Sequence, residues 1–232
     1  MTALEPQKKP PASPTPPSLN LILVALGGLL LGVFVQEWRL GSPSVQPEGK
    51  LQLAEKAFRE GDDKAALSLF SQLADQNKPT AQYWLAHMTE LGLGVPRDPA
   101  RAIELYKKAA AQDVVAAQLR LGEIYLHGDL VPPDFAQAKN YLDQAAYQGN
   151  ARAAMLLGQM YRAGLGMPPN PTEAYAWSEV ATLEGSAFAK SERDASFSDL
   201  SASDRQAAIA QAKQILGWIK KETVLPPTPP SK

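Results

Sequence analysis

The 232-residue chain has no cysteine, which excludes disulfides, thiolate metal ligands and thiol nucleophiles together. Histidine is nearly as scarce, with only His87 and His127. They lie 40 residues apart with no close carboxylate motif, so no metal site and no cofactor are expected. An excess of charge is also missing: 23 basic residues against 24 acidic ones give a net charge of -1, and nothing points to nucleic acid. G-x-S-x-G, H-E-x-x-H and Walker motifs are absent as well, so no catalytic residue is predicted and the chain reads as a non-enzyme.

What is abundant is proline, with 20 residues gathered mostly toward the two ends. Residues 1–18 are Pro-rich and polar and cannot supply a core, so a disordered tail is expected there, with a second Pro-rich tail at 223–232. Between the first tail and a linker at 39–47 lies the apolar run LNLILVALGGLLLGVFV, Leu19–Val35. As a helix it would span roughly 26 Å at about 1.5 Å per residue, close to a bilayer core. Trp38 and Arg39 follow it as an interfacial anchor. The preferred reading of 19–38 is a retained transmembrane signal-anchor; the alternatives are a cleaved signal peptide and a buried helix. Lys8 and Lys9 place the N-terminus in the cytoplasm and the rest of the chain across the membrane, periplasmic if the source is bacterial. Gly28 and Gly32 form a G-x-x-x-G that could pair two anchors into a dimer.

Beyond the linker the chain repeats itself. Residues 81–113, 117–149 and 153–185 align without gaps at a shift of 36, matching Ala81/Ala117/Ala153, Leu85/Leu121/Leu157, Gly92/Gly128/Gly164, Pro96/Pro132/Pro168, Ala102/Ala138/Ala174 and Ala109/Ala145/Ala181. One spacing shared by small, apolar and turn residues marks stacked units. Each reads as a helix hairpin. Ala81, Leu85 and Met88 line one face, Gly92 ends the helix in a left-handed residue, and Pro96 prevents its continuation. Asp98 or Asp134 then caps a second helix, in which Ala102, Leu105 and Ala109 recur. The G-x-G at Gly92–Gly94 is therefore a hinge and not a phosphate loop: no strand precedes it, no Lys-Ser or Lys-Thr follows, and Leu130 replaces Gly94 in the next unit.

The motifs "LGEIY…G…VPPD…A…AA…G" and "LLGQMYRAGLGMPPN…AYAW" resemble the Sel-one-like repeat family, relatives of the tetratricopeptide repeats, over about residues 79–187. Departures lie in the first unit. Ala86, Thr89 and Asp113 stand where the others carry Gly122/Gly158, Tyr125/Tyr161 and Gly149/Gly185, which suggests a looser first hairpin. The resemblance implies an all-α solenoid of 36-residue hairpins. The expected order is a tetratricopeptide-like hairpin at 48–78, repeats at 79–114, 115–150 and 151–189, and a C-terminal capping helix region at 190–222. In the last region, Ser203 and Gln206 read as a capping box, and Ile209, Ala212, Leu216 and Ile219 as the apolar face.

The family resemblance also implies a concave face, lined by the first helices, that binds a protein or peptide. Positions that the packing pattern does not require are the candidates: Gln82, Trp84, His87 and Glu90; Gln118, Arg120 and Glu123; Gln159 and Arg162. Trp84 draws attention because Arg120 replaces it one unit later, although packing on the preceding hairpin is an equal alternative. Trp177 stands at a packing position. Glu104, Glu123 and Asp143 read as solvated helical acids. The leading expectation is a membrane-anchored scaffold or adaptor at the cell envelope. The alternatives are a glycan-binding or hydrolytic protein, for which Glu90, Glu123 and Asp129 would have to converge, and a structural subunit held mainly by its anchor.

Overall fold

The computed structural model describes residues 47–220, so the tail at 1–18, the apolar segment at 19–38 and the tail at 223–232 lie outside the described residues. Among the described residues there are ten α-helices and no strand. None of these helices is long and apolar enough to cross a membrane. They are α1 (Pro47–Arg59), α2 (Asp63–Asp75), α3 (Pro79–Leu91), α4 (Pro99–Ala110) and α5 (Val115–His127), then α6 (Phe135–Tyr147), α7 (Ala151–Ala163), α8 (Pro171–Leu183), α9 (Ala189–Ser198) and α10 (Ala202–Lys220).

From α1 to α9 each helix packs on its neighbours in the chain, which makes a solenoid of antiparallel hairpins. The local causes repeat. Gly92, Gly128 and Gly164 end α3, α5 and α7 with φ of 77°, 75° and 70°, a left-handed conformation that costs glycine little. Asp98 and Asp134 each accept a 3.0 Å hydrogen bond from the backbone N–H three residues on, as Asn170 does at 3.2 Å. Between those signals, alanines at 81, 102, 109, 117, 138, 145, 153, 174 and 181 are fully buried and let the helix axes approach closely.

The first unit's departures are absorbed locally. Asp113 takes the left-handed conformation itself, with φ of 60°. Thr89 turns its hydroxyl to the Leu85 carbonyl at 2.7 Å, so it is buried without an unmet donor. Of the two loop glycines, Gly94 and Gly166 both have positive φ, and both sit where the loop meets the start of the preceding second helix. A Cβ on Gly94 would come 2.9 Å from the Asp63 carbonyl oxygen, and one on Gly166 would come 2.5 Å from Phe135 Cβ. Those hinges are therefore also tight packing points.

At the C-terminal end two helices stand in the region expected to hold the capping helix. α9 follows α8 as a further first helix, and its buried Ala189 is Ala153 shifted by 36. α10 then lies across α8 and reaches α6, with Trp218 against Tyr147 at 6.1 Å. The cap is also two residues earlier than expected: Ser201 Oγ accepts from the Asp204 N–H at 3.2 Å, in place of a Ser203/Gln206 box. Of the expected apolar face, Ala212 is buried and Leu216 and Ile219 pack against the same cluster. Ala208, Ala212 and Ile215 are buried while Ile209 is 38% exposed.

Candidate functional site: the face of the first helices

Most of the side chains singled out as free are already engaged. Gln82 is only 3% exposed: it donates to Asn77 Oδ1 at 2.8 Å and accepts from Gln112 at 2.8 Å. One unit later Gln118 is fully buried, accepting from Gln148 at 2.7 Å and donating to the Ala110 carbonyl at 3.3 Å. The two glutamine pairs join first helices to the turns before the next unit. They are structural because a buried amide needs its partners.

Trp84, Glu90, Arg120 and Arg162 share a common geometry. Shifting by 36 residues, or by 32 for the shorter-turned α1, brings Phe58, Glu90, Leu126 and Arg162 into equivalence near the ends of four first helices. Gln52, Trp84, Arg120, Leu156 and Glu192 form a second equivalent set. Three members of the first set contact the member of the second set on the next first helix, and the fourth, Leu126, shares an apolar cluster with its counterpart. Phe58 packs on Trp84 with ring centroids 5.0 Å apart. Glu90 pairs with Arg120, whose Nε donates at 3.2 Å. Leu126 and Leu156 are buried in one apolar cluster. Arg162 Nη1 lies 3.3 Å from Glu192 Oε1, and its Nε donates to Asp199 at 3.1 Å. One stacking slot therefore takes an aromatic pair, an ion pair, an aliphatic pair and a second ion pair. Trp84 gives way to Arg120 because its neighbour changes from Phe58 to Glu90.

Around Glu90 the polar network extends further. Tyr106 donates to Glu90 Oε2 at 2.8 Å, and its hydroxyl lies 3.4 Å from His87 Nδ1. Burial acts to raise the Glu90 pKa, but the bonds from Arg120 and Tyr106 outweigh it and hold the carboxyl below the ordinary carboxylate range. Burial holds the half-buried His87 ring below its usual value. Arg120 also reaches Glu123 at 3.5 Å and Asp129 at 3.8 Å, while Arg152 donates to Glu123 at 2.5 Å. Glu90, Glu123 and Asp129 thus converge, but on a guanidinium that ion-pairs them. A general acid needs a raised carboxyl, and Glu90 is shifted the other way.

Glu123 and Asp143 are likewise not the solvated acids expected. Asp143 lies 2.6 Å from Lys139 Nζ, and burial pushes its carboxyl up. Burial does the same to Glu173, which accepts a bond from Gln211 of α10. His87 and His127 do not meet in a metal cluster, and among the described residues no group of three or more His, Asp or Glu could hold an ion. Trp177 is buried against Tyr147 at 5.2 Å. Of the nine candidate side chains only Gln159 and Arg162 are exposed; His87, Trp84, Arg120 and Glu123 are part-buried.

Further positions are open on this face: Leu91, His127 and Ala163 at one equivalent site, with Ala116 and Arg152 at another. The spacing of 36 identified these rows, but it could not show which rows neighbouring hairpins cover.

The architecture defines a class: an α-solenoid of repeated helix hairpins. The family model of the Sel1 repeat matches three consecutive copies, at residues 79–114, 115–150 and 151–186. A Sel1 repeat protein from Oxalobacter formigenes shares the fold, with a TM-score of 0.63 and 23% identity over 75% of each chain. A protective antigen of uropathogenic Escherichia coli strains, displaying an SLR fold, superposes with a TM-score of 0.68 and 26% identity. That match covers 92% of this chain but 48% of the antigen, so this chain spans about half of its length. No curated protein matches the chain.

Proposed function

We propose that the protein is a scaffold that holds a partner protein or peptide on the face of its first helices, close to a membrane. Sel1-repeat proteins are generally protein-interaction scaffolds and typically non-catalytic. The observation that supports this use of the face is a contrast within the repeat. Buried positions keep alanine, leucine or glycine from unit to unit, while the exposed row reads Leu91, His127 and Ala163. Packing therefore leaves that row free to vary, and a solenoid offers such rows as a continuous surface.

The membrane part rests on the sequence of residues 19–38, a run long enough to span a bilayer core. The reading is a single-pass anchor with a cytoplasmic N-terminus, which sets the repeats outside the cytoplasm to serve assembly or signalling at the envelope. The full-length tagged chain, crosslinked in intact cells and extracted from the membrane fraction, should copurify a protein. Replacing residues 19–38 by an unrelated transmembrane helix should leave that partner in place. Loss of the partner on replacement would favour a subunit held through its anchor, and recovery of the chain in the soluble fraction would remove the anchor from the account.

A further inference from the structure

We infer that the four stacking slots between successive first helices form a key that fixes the order in which the hairpins can stack, within one chain or between copies. In native order the pairs are Phe58–Trp84, Glu90–Arg120, Leu126–Leu156 and Arg162–Glu192. The slots alternate between apolar and ionic, and the two ion pairs have opposite polarity. Hairpins this alike could otherwise interchange, which is a characteristic failure of repeat proteins.

Consider a slip of one unit. Phe58 would meet Arg120, Glu90 would meet Leu156, and Leu126 would meet Glu192. Every pair would then set a charge against an apolar side chain, and the buried Glu90 would lose its guanidinium. A slip of one unit in the other sense fails in the same way, with Glu90 on Trp84, Leu126 on Arg120 and Arg162 on Leu156. A slip of two units restores apolar pairing of Phe58 with Leu156, but it brings Glu90 onto Glu192. In the opposite sense it brings Arg162 onto Arg120. Alternation thus rejects the odd slips, and reversed polarity rejects the even ones. The series also closes at its ends, where the equivalent positions are the exposed, uncharged Gln52 and Ser198. Neither offers a further copy a charge or an apolar surface to pair with.

Two variants of the full-length chain separate order from stability. Arg162→Glu with Glu192→Arg and Asp199→Asn keeps an ion pair in the last slot but gives both ionic slots the same polarity. Glu90→Leu with Arg120→Leu makes the second slot apolar, an exchange that buried ion pairs often tolerate without loss of stability. Each variant and the parent would be unfolded in urea, refolded at high protein concentration in the same detergent, and resolved by size-exclusion chromatography with light scattering. The expected result is melting temperatures near the parent's with a several-fold larger fraction of dimers and higher species in both variants. If either variant folds and its oligomer fraction equals the parent's, the key is overturned. Should the first variant fail to fold, the second alone decides.

Discussion

Glu90 shows why a single residue can be misjudged from spacing alone. By helical phase it lies at the edge of the face opposite the core, yet it is 5% exposed and bonded to two neighbours. One unit supplies only the Tyr106 partner, because Arg120 comes from the next. Replacing the carboxylate, as in Glu90→Gln, should lower stability at pH 7 by about 1–3 kcal/mol, measured by urea denaturation. The pH dependence has a definite sign. The folded-state pKa of Glu90 lies below its unfolded value, so its contribution is present above the ordinary carboxylate range and is lost as pH falls through the folded value. The difference between parent and variant should therefore shrink on acidification. Glu173 works in the opposite sense: its folded pKa is raised, so ionisation opposes folding at neutral pH, and protonation relieves this as pH falls. Glu173→Gln should be stabilising or neutral at pH 7, and any gain should vanish as pH drops through that raised value. The local signals fared better than the faces. Asp98 and Asp134 cap their helices as their sequence positions require, and Asp134→Ala should cost about 1 kcal/mol.

For elements, the helix ends were legible wherever a glycine, proline or aspartate marked them, because those residues act on their own turn. Gly158→Leu tests the packing of α7 on α8: even a Cβ there would lie 2.5 Å from Ser178 Oγ and 3.2 Å from the Ala174 carbonyl. The predicted loss is about 1–3 kcal/mol by overpacking, read as a lower thermal midpoint with helicity retained. α9 and the start of α10 were less legible. In α9 the repeat's Leu157 and Met160 positions hold Arg193 and Ser196, so the apolar period fades although Ala189 keeps the phase. α10 is capped at Ser201, two residues from the cap the S-x-x-Q pattern suggested. Ile215→Ala should cost about 2–5 kcal/mol and loosen the C-terminal cover, seen as faster hydrogen exchange in α8.

The whole molecule combines one clear and one inferred part. The solenoid follows from a period of 36 that buries the same alanines in every unit, and three Sel1 repeats match across it. The candidate face was legible only as a set of rows, because inter-unit pairing decides which side chains in those rows remain open. The most direct measurement is site-specific photocrosslinking of the full-length chain in intact cells. A photoreactive residue would be placed in turn at Leu91, His127 and Gln159 on the first-helix face, and at Glu104 and Asn140 on exposed second-helix positions. The account predicts adducts to one and the same protein from the first three sites and none from the last two. Adducts from the second helices alone, or none from any site under conditions that crosslink a known complex, would contradict it.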